Sequence, residues 1–536
     1  MAVNPSIQLG TSGNWAIKED NLLAYKQLGN KFFDREFDFS RGTRATFVGR
    51  NGLIQESGLT SAELVTNGDF ATDSNWAKIN ANISNGLATI TVTNGVFSAL
   101  TQSTTYATGK EYIVTAQIQG LSGSSGKQIK FQDRGNNTGG LREGNGLITL
   151  DETLQNIEIS WTANSNSTEI VIARQSNSGD YSFTIDNVSV KEIQLDVPRI
   201  DFTDDPTGHL LLEPQSTNLF TYSNDFSQWS SLSGASVINN ALVSPDGTLN
   251  ADEFVFDGTN NGRIEKSLLT TNGLDYTFSI YLKNKNITNP TQVFIGTRGS
   301  VGMFVTVTNE WQRFTQVTSP AETNAFPQVR YSGVGSLYAY GAQFEQLPYA
   351  TSYIPTSGSA VTRNQELCNN SGTVNDFNSE EGVLYAEIAA LADDGTYRLI
   401  ALLDPLDNTN RLDIGFSTND GIYANVRTSG NNKILSSTVD YNIGQYYKIA
   451  IKWSNTDGCS FYLDGVEIQT GGNTFFTTSD FTSLQFRNAF NNPLYGKTKC
   501  VAVFKEALNN DELECLTGEG YETFNALALA NNYTII

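Results

Sequence analysis

Apolar and polar residues alternate with a period of two along much of this chain, which is the spacing of a strand with one buried face. The run Tyr112-Ile-Val-Thr-Ala-Gln-Ile118 shows it, and so does Tyr276-Thr-Phe-Ser-Ile-Tyr-Leu282. Each follows a Gly-x-acid-Tyr entry, at Gly109 and at Gly273. Nearer the C-terminus, Tyr446–Ser454 reads as a strand, Asn455–Gly458 as a turn and Cys459–Ile468 as a hairpin turning at Asp464-Gly465. Val501–Phe504 reads as a closing strand, and Asn510–Leu516 as a short helix capped by Asn510 or Asp511. Ser336–Tyr340 and Phe37–Phe39 are strand-like, with a turn at Arg50-Asn-Gly52. The pattern predicts an all-β protein.

The alternation repeats over a longer distance. Leu64-Val-Thr-Asn-Gly-Asp-Phe70 with Trp76 opens one segment, and Leu219-Phe-Thr-Tyr-Ser-Asn-Asp-Phe226 with Trp229 opens another. Both pass through the Gly-x-acid-Tyr strand and close on an apolar-rich run, Phe183–Val190 or Leu337–Phe344. Two modules of one kind are expected, followed by a third of different pattern. The predicted division is an N-terminal segment 1–62, a module 63–193, a connection 194–218, a second module 219–356, a linker 357–368, a third module 369–518 and a tail 519–536. In the tail, Phe524–Ala530 reads as a short helix or packing arm.

With 536 residues the chain has room for three or four domains. Only 17% of residues are charged, and Asn, Ser, Thr and Gly carry the polar share, which suits short strands and turns. A net charge of −22 repels phosphate backbones, so nucleic acid is not an expected partner. The acidity lies outside residues 1–62, where seven Lys or Arg face six Asp or Glu. Cys368, Cys459, Cys500 and Cys515 form no Cys-x-x-Cys pair, so free thiols are expected rather than a zinc site. Met1–Ile7 has no basic stretch leading into an apolar one, and no run of 18 apolar residues occurs. Synthesis in a cytoplasm and no membrane insertion are the expectations.

Three groups of residues carry a resemblance. They are Gly341-Ala-Gln-Phe-Glu-Gln-Leu-Pro-Tyr-Ala-Thr-Ser-Tyr-Ile-Pro-Thr356; Phe39-Ser-Arg-Gly-Thr-Arg-Ala-Thr46 with Asn51-Gly-Leu-Ile-Gln55; and Pro198-Arg-Ile-Asp-Phe202 with Leu210–Leu219. They resemble motifs of tailed-bacteriophage tail fibre, appendage and other virion structural proteins. In such relatives the Asn-Gly-Leu-Ile and Pro-Arg-Ile-Asp motifs are near neighbours, so residues 56–197 look inserted. The two repeated modules resemble the jelly roll of family 4/9-type carbohydrate-binding modules, and the third resembles laminin G or concanavalin A-like sandwiches. The expected fold is therefore all-β, with tandem antiparallel β-sandwiches, two jelly rolls plus one concanavalin A-like sandwich, and a small N-terminal attachment segment. The resemblance implies a non-enzymatic virion protein. Residues 1–62 would join it to other virion proteins, and its sandwiches would bind host cell-surface polysaccharide as a homotrimer. The alternatives are a decorating virion protein without a sugar ligand, a secreted glycan-binding protein and a depolymerase.

Candidate chemistry is sparse. His209 is the one histidine, so any Ser-His-Asp or Cys-His arrangement would need it, and its setting suggests a loop or packing role. Glu36-Phe-Asp-Phe-Ser-Arg41 approaches the Glu-x-Asp-x-x-Glu strand of laminarinase-type glycosidases but ends on Arg41, outside the third module. No catalytic residue is expected. Trp76, Trp229, Trp311 and Trp453 are expected in cores; Tyr106, Tyr181 and Tyr423 are expected in loops, freer to meet a sugar, and no sugar-contacting residue stands out. The carbohydrate-binding-module resemblance implies a structural Ca²⁺ held by Asn67, Asp69 and Asp186. Ala71 stands where such modules often have Glu, and the competing reading is that Asp69 and Asp186 cap turns. Gly341 at the matching place in the second repeat implies no such site there.

Overall fold

The computed structural model describes residues 4–518 apart from 11–13, 29–30, 59–60, 95, 135–145, 164–166, 176–178, 230 and 300–301. The expected helix or arm in the 519–536 tail lies outside the described residues. The protein is built of antiparallel β-sheets, as the alternation predicts. Asn510–Thr517 is the one α-helix among the described residues. Its N-cap is Asn509, not Asn510 or Asp511: the Asn509 side chain accepts from the Glu512 N–H, and Glu512 answers to the Asn509 N–H. No described helix is long and apolar enough to cross a membrane.

The chain divides into two compact units, Gly58–Leu195 and the remainder, residues 1–57 with 196–536. In Gly58–Leu195, one five-stranded sheet runs Gln155–Thr162, Glu111–Gly120, Tyr181–Ile193, Leu87–Val92, Ala81–Ser84. The other runs Leu147–Thr149, Gln128–Arg134, Ser167–Arg174, Ala99–Tyr106, Ala77–Ile79. Their inner faces enclose one core containing Trp76, Phe131, Trp161 and Phe183.

The larger unit holds two sandwiches. In the first, the sheet Ala235–Val243, Leu249–Asp257, Val334–Glu345, Tyr276–Asn284, Gln312–Thr318 faces the sheet Ser231–Ser233, Gly262–Glu265, Pro327–Tyr331, Val293–Thr297, Gly302–Val305. Phe220, Trp229, Phe254, Phe278 and Phe344 fill the space between. The second sandwich sets the sheet Asn431–Asp440, Gly421–Thr428, Arg411–Phe416, Arg398–Leu403, Ser483–Gln485 against a twelve-stranded sheet. Asp464 and Gly465 turn its hairpin with φ of 47° and 84°, the left-handed pair that a two-residue loop of this twist requires.

Three stretches read as separate or connecting are woven into that twelve-stranded sheet. Ile7–Leu9 pairs with Gly496–Phe504 and stands beside Asn21–Leu28, which pairs with Lys31–Ser40. His209–Leu212, from the expected connection, pairs with the other end of Gly496–Phe504. Leu367–Asn369, from the expected linker, pairs with Lys31–Ser40. Ile7, Leu9, Leu22, Phe37 and Phe39 share one core with Trp453 and Phe461. The physical reason is burial: apolar side chains on one face of these strands have no other core to enter.

All three sandwiches share a device that the sequence showed in two. The buried hydroxyls of Tyr112, Tyr276 and Tyr447 accept from the N–H groups of Ala107 (2.7 Å), Thr271 (2.9 Å) and Asn442 (2.7 Å). In each, a glycine three residues before the tyrosine (Gly109, Gly273 or Gly444) has positive φ and turns the chain back onto the ring.

Candidate functional site

The motif residues converge on a buried ion cluster in the larger unit. Arg41, Arg199 and Arg363 surround Glu213 and Glu366, and each of these side chains is almost or fully closed to solvent. Arg199 Nε donates to Glu366 Oε1 at 2.8 Å, and its Nη2 donates to Glu366 Oε2 and, at 2.8 Å, to Glu213 Oε2. Arg41 Nη1 reaches Glu366 Oε1 at 2.8 Å, and Arg363 Nη1 reaches Glu213 Oε2 at 2.6 Å. Ser352, from the 341–356 motif, donates through its N–H and Oγ to Glu213. Burial alone would raise the glutamates, but the guanidiniums outweigh it: Glu213 falls to about 2, and Glu366 falls below its ordinary value. Every acid is paired, so the cluster organises structure and offers no free group for chemistry.

A cleft of about 460 Å³ opens beside the cluster, with Asp201, Tyr281, Arg313, Tyr353 and Lys497 in its walls. Its charges are engaged too: Arg313 donates to the Thr351 carbonyl and Ser279 Oγ, Asp201 accepts from Val48 N–H, and Lys497 pairs with Asp204.

The outer face of the sheet that contains Gly262–Glu265, Pro327–Tyr331, Val293–Thr297 and Gly302–Val305 differs. Cross-strand register places Arg263, Arg330, Phe294 and Phe304 in one row across four strands. Ile264, Val329, Ile295 and Val305, one residue along, point into the core, so the row must face outward. The Arg330 guanidinium lies 4.2 Å from the Phe294 ring centroid, and Phe304 meets Phe294 edge-on at 5.6 Å. Phe304 is 58% exposed. In the next row Gly296 and Gly302 stand beside Gln328 and Glu265. Gln328 is buried, and its Oε1 has no hydrogen-bond donor among the described residues. At one end of the row lies a recess of about 270 Å³ lined by Asn261, Asn289, Gln292, Phe304, Arg330 and Ser332 among others. An aromatic surface beside amides is suited to a polar ring with an apolar face.

The sequence did not single out these residues. The legible signal is parity: Phe294 sits between core-facing Val293 and Ile295, and Arg330 between Val329 and Tyr331, so a large aromatic occupies a solvent position.

The loop aromatics expected to be free are not. Tyr106 is fully buried at a strand end against Tyr112 and Trp161; Tyr181 is buried on Tyr181–Ile193; Tyr423 is buried on Gly421–Thr428 against Tyr397. Their rings carry too much apolar area to remain in water beside an open core edge. Trp76, Trp229 and Trp453 are buried in cores, and Trp311 packs half-buried beside Ile54 and Tyr340. His209 lies on a buried strand, not a loop, with Nε2 3.7 Å from Asp201. Burial holds its pKa down at about 4. Cys368, Cys459, Cys500 and Cys515 are free thiols, Cys515 exposed and Cys500 half-buried.

Asn67 and Asp69 are engaged within the opening turn, and Asp186 lies on the strand Tyr181–Ile193. Asn67 donates to the Thr72 and Ser74 carbonyls and accepts from Thr72; Asp69 accepts from Ala71 N–H; Asp186 accepts from Asn187 N–H at 2.7 Å. The Gly68 carbonyl accepts from Val188 N–H, which brings the opening turn beside the strand carrying Asp186. Among the described residues no three His, Cys, Asp or Glu cluster as metal ligands.

In the last sandwich, Asp413 lies buried on the outer face of its five-stranded sheet. It accepts from Arg411 Nε and Asn425 Nδ2, and burial raises its pKa.

Residues 383–514, spanning most of that sandwich, match the concanavalin A-like lectin/glucanases superfamily. No curated protein matches the chain. Among solved structures, the Ruminococcus gnavus IT-sialidase CBM40 is similar at 14% identity, over 28% of this chain and 94% of that one, with a TM-score of 0.24. The CBM22-1–CBM22-2 tandem domain of Paenibacillus barcinonensis Xyn10C is similar at 10% identity, over 54% and 98%, with a TM-score of 0.23. The Trypanosoma rangeli sialidase is similar at 10% identity, over 93% and 98%, with a TM-score of 0.23.

Proposed function

We propose that this protein binds glycans, and that the outer face of the sheet carrying Arg330, Phe294 and Phe304 is a binding surface. The observation that carries this is the outward row Arg330, Phe294 and Phe304. Sugar rings stack their apolar faces on aromatic rings, and Gly302 lets the Phe294 ring lie against its neighbouring strand, since a Cβ there would collide with Phe294 Cζ. The match of residues 383–514 to a lectin/glucanase superfamily supports the same reading for the chain as a whole. Binding without hydrolysis is favoured at this face. Glycoside hydrolysis needs two carboxyl groups flanking the bond, and the described residues of the face offer Glu265 alone, buried and paired with Arg263 and Arg298. A glycan array probed with the protein and with Phe304→Ala tests the reading. Binding that the substitution weakens at least tenfold supports it; an array blank for the unaltered protein defeats it.

The finer proposal is a virion role: a tail fibre, tail appendage or head fibre of a tailed bacteriophage, trimeric, recognising host polysaccharide. It rests on the sequence motifs. The hairpin Asn21–Leu28/Lys31–Ser40 adds an exposed apolar end, with Leu28, Phe32 and Phe33 at 57%, 63% and 43% exposure, suited to docking on another virion protein. Mass spectrometry of purified virions, and incorporation of a Phe32→Ser/Phe33→Ser variant, are the tests. Absence from virions would exclude the role.

A further inference from the structure

We infer that the recess beside Phe304 takes a negatively charged sugar, its carboxylate held by Arg330; this deepens the glycan-binding reading and rests on it. Three guanidiniums, Arg263, Arg298 and Arg330, stand on or beside this face against one carboxylate, Glu265. That local excess of positive charge occurs in a chain whose net charge is −22. Glu265 is satisfied by Arg263 at 3.3 Å and Arg298 at 3.0 Å, and Arg298 also lies over Phe326 at 4.2 Å. Arg330 is different. Its guanidinium stacks on Phe294 but has no hydrogen-bond or ion-pair partner among the described residues.

A guanidinium stacked on a ring keeps its edge donors free, and those donors match a carboxylate in a planar, two-point contact. The backbone of Arg330 is fixed within the ladder, paired with Arg263 on one side and Phe294 on the other. Little conformational freedom remains to be lost when a ligand binds. Around it the side-chain amides of Asn261 and Gln292 are exposed, and Ser332 Oγ accepts from Asn261 N–H. These groups can take the hydroxyls of a ring whose acid group meets Arg330. At about 270 Å³ the recess lies near the lower end of ligand-site volumes, so it suits one acidic residue of a glycan rather than a length of chain.

The test uses the full chain and an array of uronate- and ulosonate-bearing oligosaccharides, each beside its carboxyl-reduced counterpart, followed by calorimetry on the best pair. The expected result is at least tenfold tighter binding of the acid form, a preference that shrinks in 0.5 M NaCl. Arg330→Gln should weaken the acid form at least tenfold more than its neutral counterpart and so remove the preference; Phe304→Ala should weaken both forms alike. Circular dichroism establishes that both variants fold. Equal affinity for acid and neutral forms overturns the inference and leaves the glycan reading standing. So does an acid preference that survives Arg330→Gln. Failure to bind any member of the array overturns both.

Discussion

Arg199 and Glu366 are joined by two parallel hydrogen bonds although 167 positions separate them. Glu366 also accepts from Arg41 Nη1, so one buried carboxylate ties together three stretches that lie far apart in the chain. Arg41 carries the tie further. Its backbone N–H donates to Asp196 Oδ1 at 2.5 Å and its Nη2 to Ser57 Oγ at 2.6 Å, which places the two ends flanking the Gly58–Leu195 unit on one residue.

Replacing Glu366 by Gln should therefore destabilise the larger unit by about 3–5 kcal/mol, because Arg41 and Arg199 would be left buried without their shared counter-charge. The lower denaturant midpoint should appear in the larger unit's transition. A change under about 1 kcal/mol would mean that water or a neighbouring acid replaces the carboxylate.

Excising residues 58–195 and joining Ser57 to Asp196 should leave the remaining chain folded, since both flanking residues already contact Arg41. The cooperative melting of the larger unit should persist after excision. Loss of that transition would show that the excised unit is needed for the fold.

Acid should weaken the larger unit in two stages. His209 has a folded pKa near 4, below its ordinary 6.5, because burial opposes its charge. The unfolded chain thus takes the extra proton between these values, and stability is full above pH 6.5 and falls as pH drops toward 4. Glu213 and Glu366, depressed below 4.5 by their arginines, add a loss that begins below pH 4.5 and continues toward pH 2. Unfolding free energies from urea titrations at pH 7, 5.5 and 4 should decline by an amount on the order of 1–3 kcal/mol, and His209→Asn should flatten the upper stage. An unchanged slope in that variant would assign the loss to other groups.

Phenylalanine in place of Tyr112, Tyr276 or Tyr447 should cost about 1–3 kcal/mol at each position, because each hydroxyl satisfies a backbone N–H at the entrance to a strand. Three effects of similar size would identify one device used three times. A null result at Tyr447 alone would separate the last sandwich from the other two.

Alternation was enough to read the strands Glu111–Gly120, Tyr276–Asn284 and Tyr446–Ser454, the Asp464-Gly465 hairpin and the all-β class, because strand period and turn conformation are local properties of adjacent residues. The motifs around Arg41, Arg199, Glu213 and Ser352 were visible as patterns as well. Their common purpose was not, since a charge shows its partner only when folding brings distant segments within hydrogen-bond reach. For the same reason residues 1–62 read as a separate segment: nothing in Ile7–Leu9 says that it will lie beside Gly496–Phe504. The burial of Tyr106, Tyr181 and Tyr423 and the outward row of Arg330, Phe294 and Phe304 were also decided by tertiary packing. Sequence determines which side chains share a face of a strand. Which face becomes core and which stays open depends on what the rest of the chain can lay against it.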